Sequence, residues 1–162
     1  MKTHFLTLGL LLLSLSIYAS TASSASYVIT SHDTTICQQV IFGPNDISVV
    51  FENGSVVKYN QDEIVAYKSD GKQFEKKEIY INNKPSGRKA FMELVSFRNG
   101  LSLYKYRLQK EMKSEFGKSL NDSYDRKNIL YVFRNNDYYL QLTNANGANM
   151  LDYFHIDGTI FE

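Results

Sequence analysis

The residue types able to carry chemistry are few in this chain and thinly spread. Of its three histidines, His32 stands beside Asp33 in a turn-like Ser31-His32-Asp33, and His155 lies two residues before Asp157. Imidazole and carboxylate suit zinc, so these four would form a donor set if the two ends of the domain met. No His-x-His or His-x-x-x-His spacing supports that arrangement, and turn aspartates commonly serve the local backbone instead. The single cysteine, Cys37, sits in Thr-Thr-Ile-Cys-Gln-Gln-Val-Ile. That setting predicts a packed strand thiol, whereas nucleophilic use needs a depressed pKa and a neighbouring base. No Gly-x-Ser-x-Gly elbow occurs, and the Ser114/Lys118 pair falls in a polar stretch that positions nothing. Asn53-Gly54-Ser55 and Asn121-Asp122-Ser123 match a glycosylation sequon, a three-residue pattern that marks no chemistry of the chain's own. Glu93 is the one carboxylate among apolar strand positions, and it is expected to face Tyr106 as a structural polar pair, since buried carboxylates must be paired. No catalytic residue, cofactor site or metal site is expected.

The N-terminus bounds where such a chain works. Lys2 precedes Phe5–Ile17, an uncharged apolar run, and small residues fill the positions from Ala19 to Ala25. This is the layout of a cleavable secretory signal peptide over residues 1–25; the run is short of the roughly 20 apolar residues of a membrane span. Cys37 lies well beyond the cleavage region, so no lipoprotein is expected. Without Lys2, 17 basic residues face 17 acidic ones. That balance argues against a nucleic-acid partner and against electrostatic docking to anionic lipid. One cysteine allows no internal disulfide, so the fold rests on its core.

The elements that remain are strands. There are 12 Tyr, 10 Phe and only 2 Pro, with no Trp, a β-rich signature. The strongest stretch is Phe91–Leu108, two strands about Asn99-Gly100. Asn-Gly suits a type I′ turn, which needs φ > 0 at both central residues. A two-residue turn sets Arg98 opposite Leu101, Phe97 opposite Ser102, Val95 opposite Tyr104 and Phe91 opposite Leu108. One face then carries Phe91, Val95, Phe97, Tyr104, Tyr106 and Leu108; the other is basic at its margins through Lys105 and Arg107. A second Asn-Gly hairpin pairs Ile47–Phe51 with Ser55–Tyr59. A third turn, Asp70-Gly71, joins 63–68 to 73–81, whose charges predict a solvated or edge strand. A fourth hairpin turns at Asn135-Asn136, with Tyr131 opposite Leu140 and Ile129 opposite Leu142.

Residues 82–89 read as a loop and 109–127 as a polar, mobile excursion with one helical turn near Glu111–Phe116. Met150–Ile156 reads as a short strand or helical turn. Residues 26–162 thus form one all-β domain: an antiparallel meander of about eight to ten short strands, closed as a small barrel or folded as a sandwich. Lysines on both strand parities and a terminal Glu162 argue against an outer-membrane barrel.

Several landmarks together resemble a broad set of uncharacterised exported proteins of Bacteroidetes-type bacteria. They are Asp33-Thr34-Thr35-Ile36, Tyr59 followed by Glu63-Ile64, Val95 with Asn99-Gly100 and Leu103-Tyr104-x-Tyr106, and Tyr138-Tyr139-Leu140. The resemblance spans about residues 27–142 and implies an exported location and a β fold, with no activity; Asn144–Glu162 departs from the helical continuation of those proteins. The function expected is a non-enzymatic binding or structural module of the cell envelope, periplasmic or extracellular. It would bind an envelope protein through exposed Tyr-rich sheet surface, with Tyr104 and Tyr106 as the candidate residues. The alternative is a small-molecule carrier with a ligand cavity inside a closed meander.

Overall fold

A computed structural model describes residues 25–43, 46–108, 113–125 and 127–157. The expected signal peptide, apart from Ala25, lies outside the described residues, as do 109–112 and Arg126 of the expected polar excursion. Eleven strands occur among them, more than the sequence predicts. They are β1 (Ser26–Thr30), β2 (Thr34–Cys37), β3 (Gln39–Phe42), β4 (Asp46–Val50), β5 (Val56–Asn60), β6 (Ile64–Ser69), β7 (Lys72–Ile81), β8 (Lys84–Arg98), β9 (Leu101–Arg107), β10 (Asn128–Arg134) and β11 (Asp137–Gln141). Two helices accompany them, α1 (Lys113–Asp122), kinked at Gly117, and α2 (Gly147–Tyr153). Eight strands form one antiparallel sheet in the order β11-β10-β9-β8-β7-β6-β1-β2, and β3-β4-β5 form a second. The large sheet keeps two edges, β11 and β2, so it is not closed into a barrel.

The tight turns follow their chemistry. Asn99 and Gly100 have φ of 48° and 77°, and Asp70 and Gly71 of 52° and 76°, the type I′ signature. Asn82-Asn83 makes the same turn at 52° and 61°. It converts the expected 82–89 loop into the start of β8, a strand of 15 residues. The Thr34–Phe42 run breaks at Gln38, so β2 joins the large sheet and β3 the small one. The Asn53-Gly54 turn takes one residue more than expected: Phe51 and Ser55 flank it, and Val50 pairs Val56.

Bulges overturn the expected faces. In the central hairpin Arg98 pairs Leu101 and Phe97 pairs Ser102, but the register shifts at Val95, so Leu94 pairs Tyr104 and Glu93 pairs Lys105. A one-residue slip transfers every later side chain to the other face. Met92 and Leu94 therefore join Tyr104 and Tyr106, while Phe97 is left 67% exposed. A bulge between Val132 and Phe133 likewise pairs Tyr131 with Gln141 rather than Leu140.

The sheet buries both faces. On the first, Met92, Tyr104, Tyr106, Ile129, Tyr131 and Phe133 pack together, covered by Phe116 of α1 and by the far half of the β7–β8 hairpin, which contributes Ile79. Tyr80 stacks on Tyr138 at 3.9 Å, and Tyr131 donates to the Tyr80 carbonyl at 2.6 Å. The second face has two covers. The small sheet packs Val40, Ile47 and Val49 onto Val28, Ile64 and Tyr67 at one end. The α2 segment packs Leu151 and Phe154 onto Leu103, Leu130 and Val132 at the other. Fully burying one such aliphatic side chain contributes about 1.5–3 kcal/mol.

The candidate binding groove

The strip of the second face formed by β7, β8 and β9 carries alternate side chains of three strands, because the side-chain period of a strand is two. β7 presents Lys72, Phe74 and Lys76. β8 presents Lys89, Phe91 and Glu93, with Lys76 opposite Phe91 and Phe74 opposite Glu93. Lys105 pairs with Glu93 across to β9, and Arg107 follows two residues on. Two adjoining clefts, of about 970 and 670 Å³, open along this strip and share Phe91, Arg107 and Leu108.

Each end of the groove is fixed by local chemistry. A 3₁₀ turn at Gln61–Glu63, capped by the Asn60 side chain on the Asp62 amide at 2.9 Å, brings Gln61 and Asp62 to the rim. Gln61 Nε2 ties that turn to the Gly43 carbonyl at 2.9 Å. At the other end α1 is held by the wholly buried Phe116 and by the Arg88–Glu115 ion pair, which places Lys113 in the wall. The Asp125 carboxylate accepts from the Lys127 and Asn128 amides and from Asn128 Nδ2, at 2.7, 3.3 and 2.8 Å. That cap fixes Lys127 and Asn128, which line the same cleft as Lys113.

The charges are one-sided. Among the described residues, seven Lys or Arg side chains line the two clefts against two carboxylates, Asp62 and Glu93. Glu93 is held by Lys72 at 3.3 Å and Lys105 at 3.0 Å. Lys76 donates to the Gln61 carbonyl, lies 4.0 Å from Asp62 and sits over the Phe91 ring at 5.2 Å. Burial pulls the Lys76 pKa down, Asp62 offsets part of that, and Lys89 adds to the lowering. Lys89, Arg107, Lys113 and Lys127 are exposed and make no ion pair with a described residue.

The aromatic floor is closed on itself. Tyr67 stacks on Phe74 at 4.6 Å and meets Phe91 edge-on at 5.2 Å, and Phe42 meets Phe91 edge-on at 5.8 Å.

Of the residues singled out from the sequence, Glu93 lies in this groove and most of the others do not. Tyr104 and Tyr106 are 2% and 3% exposed and belong to the core of the first face, so neither is an exposed sheet tyrosine, although Tyr106 also borders the cleft of about 970 Å³. The Tyr104 hydroxyl donates to Glu75 Oε2 at 2.7 Å, where Lys77 also lies at 3.0 Å and Gln73 reaches Oε1 at 3.0 Å. Glu93 answers lysines rather than Tyr106. β7 is no edge strand: its charges are absorbed by these pairs and by Lys77 lying over the Tyr104 and Phe133 rings. His155 meets Arg98 at 2.5 Å, and Asp33 caps its own turn through the Thr34 amide at 2.7 Å. Cys37 is buried, and burial raises its pKa. Among the described residues no three His, Cys, Asp or Glu side chains gather as a metal site, and no helix is long and apolar enough to cross a membrane.

No family model, curated protein or solved structure matches the chain.

Proposed function

We propose that the protein is an exported, non-enzymatic binding module of the cell envelope whose groove on β7–β9 takes an anionic ligand. One observation carries the reading: in a chain with 17 acidic residues, the described residues lining a single pair of adjoining clefts include seven cations and two carboxylates. Lines of cations between low-dielectric walls focus the field and raise the local concentration of anions. The floor supplies shape without reactive groups, since its aromatic rings pack on one another and its one central carboxylate is bridged by two lysines. A carrier with an enclosed cavity is less well supported, because the sheet keeps two edges and the clefts lie on its face.

The test is retention of the protein on immobilised anionic polymers, polygalacturonate and polyglutamate, as salt is raised. Binding that weakens with salt and is lost on Lys89→Ala with Arg107→Ala is expected. Passage of the folded wild-type protein through both columns at low salt overturns the reading.

A further inference from the structure

We infer that the ligand of this groove is an acidic oligosaccharide, a chain of sugars bearing carboxylates on successive units; this rests on the anion-binding reading and narrows it. Three features of the groove lead there. The first is extent. The groove runs from β7 to the start of β10, and three interstrand spacings make about 14 Å, with Lys72 and Lys76 separated by a further ~13 Å along β7. Cations spread over that span do not converge on one small anion. They match a linear ligand with charges at intervals, and Arg107, which lines both clefts, stands where such a chain would cross between them.

The second feature is the state of the aromatic rings. A single-stranded nucleic acid is held by bases stacked on open ring faces. Here Tyr67 is stacked by Phe74 and met by a tilted Phe42 at 4.5 Å, Phe91 lies under the Lys76 ammonium, and Phe91 meets Tyr67 and Phe42 edge-on. The floor offers hydrophobic edges to a saturated ring and little platform for a base.

The third is the acceptor set. Asp62 is 98% exposed at the rim and Asn128 lies at the other end. A carboxylate in a basic groove repels any anionic chain, and a chain of phosphates has no proton with which to offset that. The carboxylate accepts readily from sugar hydroxyls, so cations and acceptors in one groove suit a ligand that is both anionic and hydroxylated.

The experiment is titration calorimetry of the mature protein with tetragalacturonate, monomeric galacturonate, methyl-esterified tetragalacturonate and tripolyphosphate. Binding of the acidic tetramer at least tenfold tighter than each of the other three is expected. Arg107→Ala should weaken the tetramer about tenfold or more, with thermal stability unchanged. Asp62→Asn should weaken the tetramer yet strengthen tripolyphosphate, an exchange that a merely structural Asp62 would not produce. Equal binding of monomer and tetramer, or tightest binding of tripolyphosphate, overturns the oligosaccharide while leaving an anion groove in place. Silence from all four, with the folded protein also unretained on both polymer columns, overturns both readings.

Discussion

Replacing Tyr104 with Phe deletes one oxygen from a side chain that is 2% exposed and leaves its ring edge-on to Phe133 at 5.4 Å. The lost hydroxyl donates to Glu75 Oε2 at 2.7 Å. Glu75 keeps Lys77 and Gln73, each at 3.0 Å, so the change removes one charge-assisted hydrogen bond without stranding a carboxylate. Such a bond contributes about 1.5–3 kcal/mol. In urea, with a slope of about 2 kcal/mol/M, the midpoint should fall by about 1 M at unchanged slope.

The pH dependence gives a second check on the same bond. Burial pushes the Glu75 pKa up, but hydrogen bonds from Tyr104 and Lys77 and the Lys77 charge outweigh it, and the result lies below the ordinary carboxylate value. A carboxyl lowered on folding contributes stability that is present above its unfolded pKa and lost as pH falls through its folded pKa. The Phe variant gives up part of that lowering. Its deficit should therefore be full near neutrality and shrink once the pH drops below the ordinary carboxylate range. A loss under about 0.5 kcal/mol at pH 7, the size of an ordinary surface change, would refute the reasoning, and so would a deficit that does not vary with pH.

Three further outcomes follow from the packing. Met92→Ala should cost about 2–5 kcal/mol, as for other buried large-to-small changes, whereas Phe97→Ser at a 67% exposed site should stay within about 0.5 kcal/mol; paired urea melts check it, and the reverse order would mean that the Val95 bulge is misplaced. Gly147→Ala should destabilise the domain by well over 1 kcal/mol, because an added Cβ would overlap the Tyr124 ring; a wild-type melting temperature for that variant would contradict the seating of α2. Cys37, buried with its pKa raised, should resist a thiol reagent at pH 8 in the native protein and react at once in denaturant, since the thiolate is the reactive form.

Where the sequence was legible, local backbone chemistry decided the structure. Asn99-Gly100, Asp70-Gly71 and Asn135-Asn136 each turn as their residue types demand, and the antiparallel order follows from them. Asn82-Asn83 carried the same signal, but the Pro, Ser and Gly that follow read as loop. The bulges at Val95 and near Val132 left no local mark. Either register places apolar residues on both faces, and only packing against α1 and the folded-back β7–β8 tip chooses between them. That choice moved the β8 faces by one residue and set Met92 and Leu94 beside Tyr104 and Tyr106 in the core, where the Tyr104 hydroxyl finds its partner at Glu75.

The groove was hidden for a related reason. Net charge is a sum over the whole surface, and 18 basic against 17 acidic residues leave only +1. What a ligand meets is the arrangement, and the period of two sends Lys76 to one face and Lys77 to the other. Lys77 is neutralised within the core of the first face by Glu75. Lys76 joins Lys89 and Arg107 in a gap that neither the small sheet nor α2 covers. Part of this was within reach of the sequence: Lys105 and Arg107 already stood on the face opposite Tyr104, two residues apart. What was missing is the register that puts Phe91, Glu93 and Lys89 beside them, and that register depends on one unpaired valine. A balanced composition therefore bears on long-range steering of the whole molecule, which it weakens. It does not bear on whether one face can hold a chain of anions, which is decided within a few ångströms of these side chains.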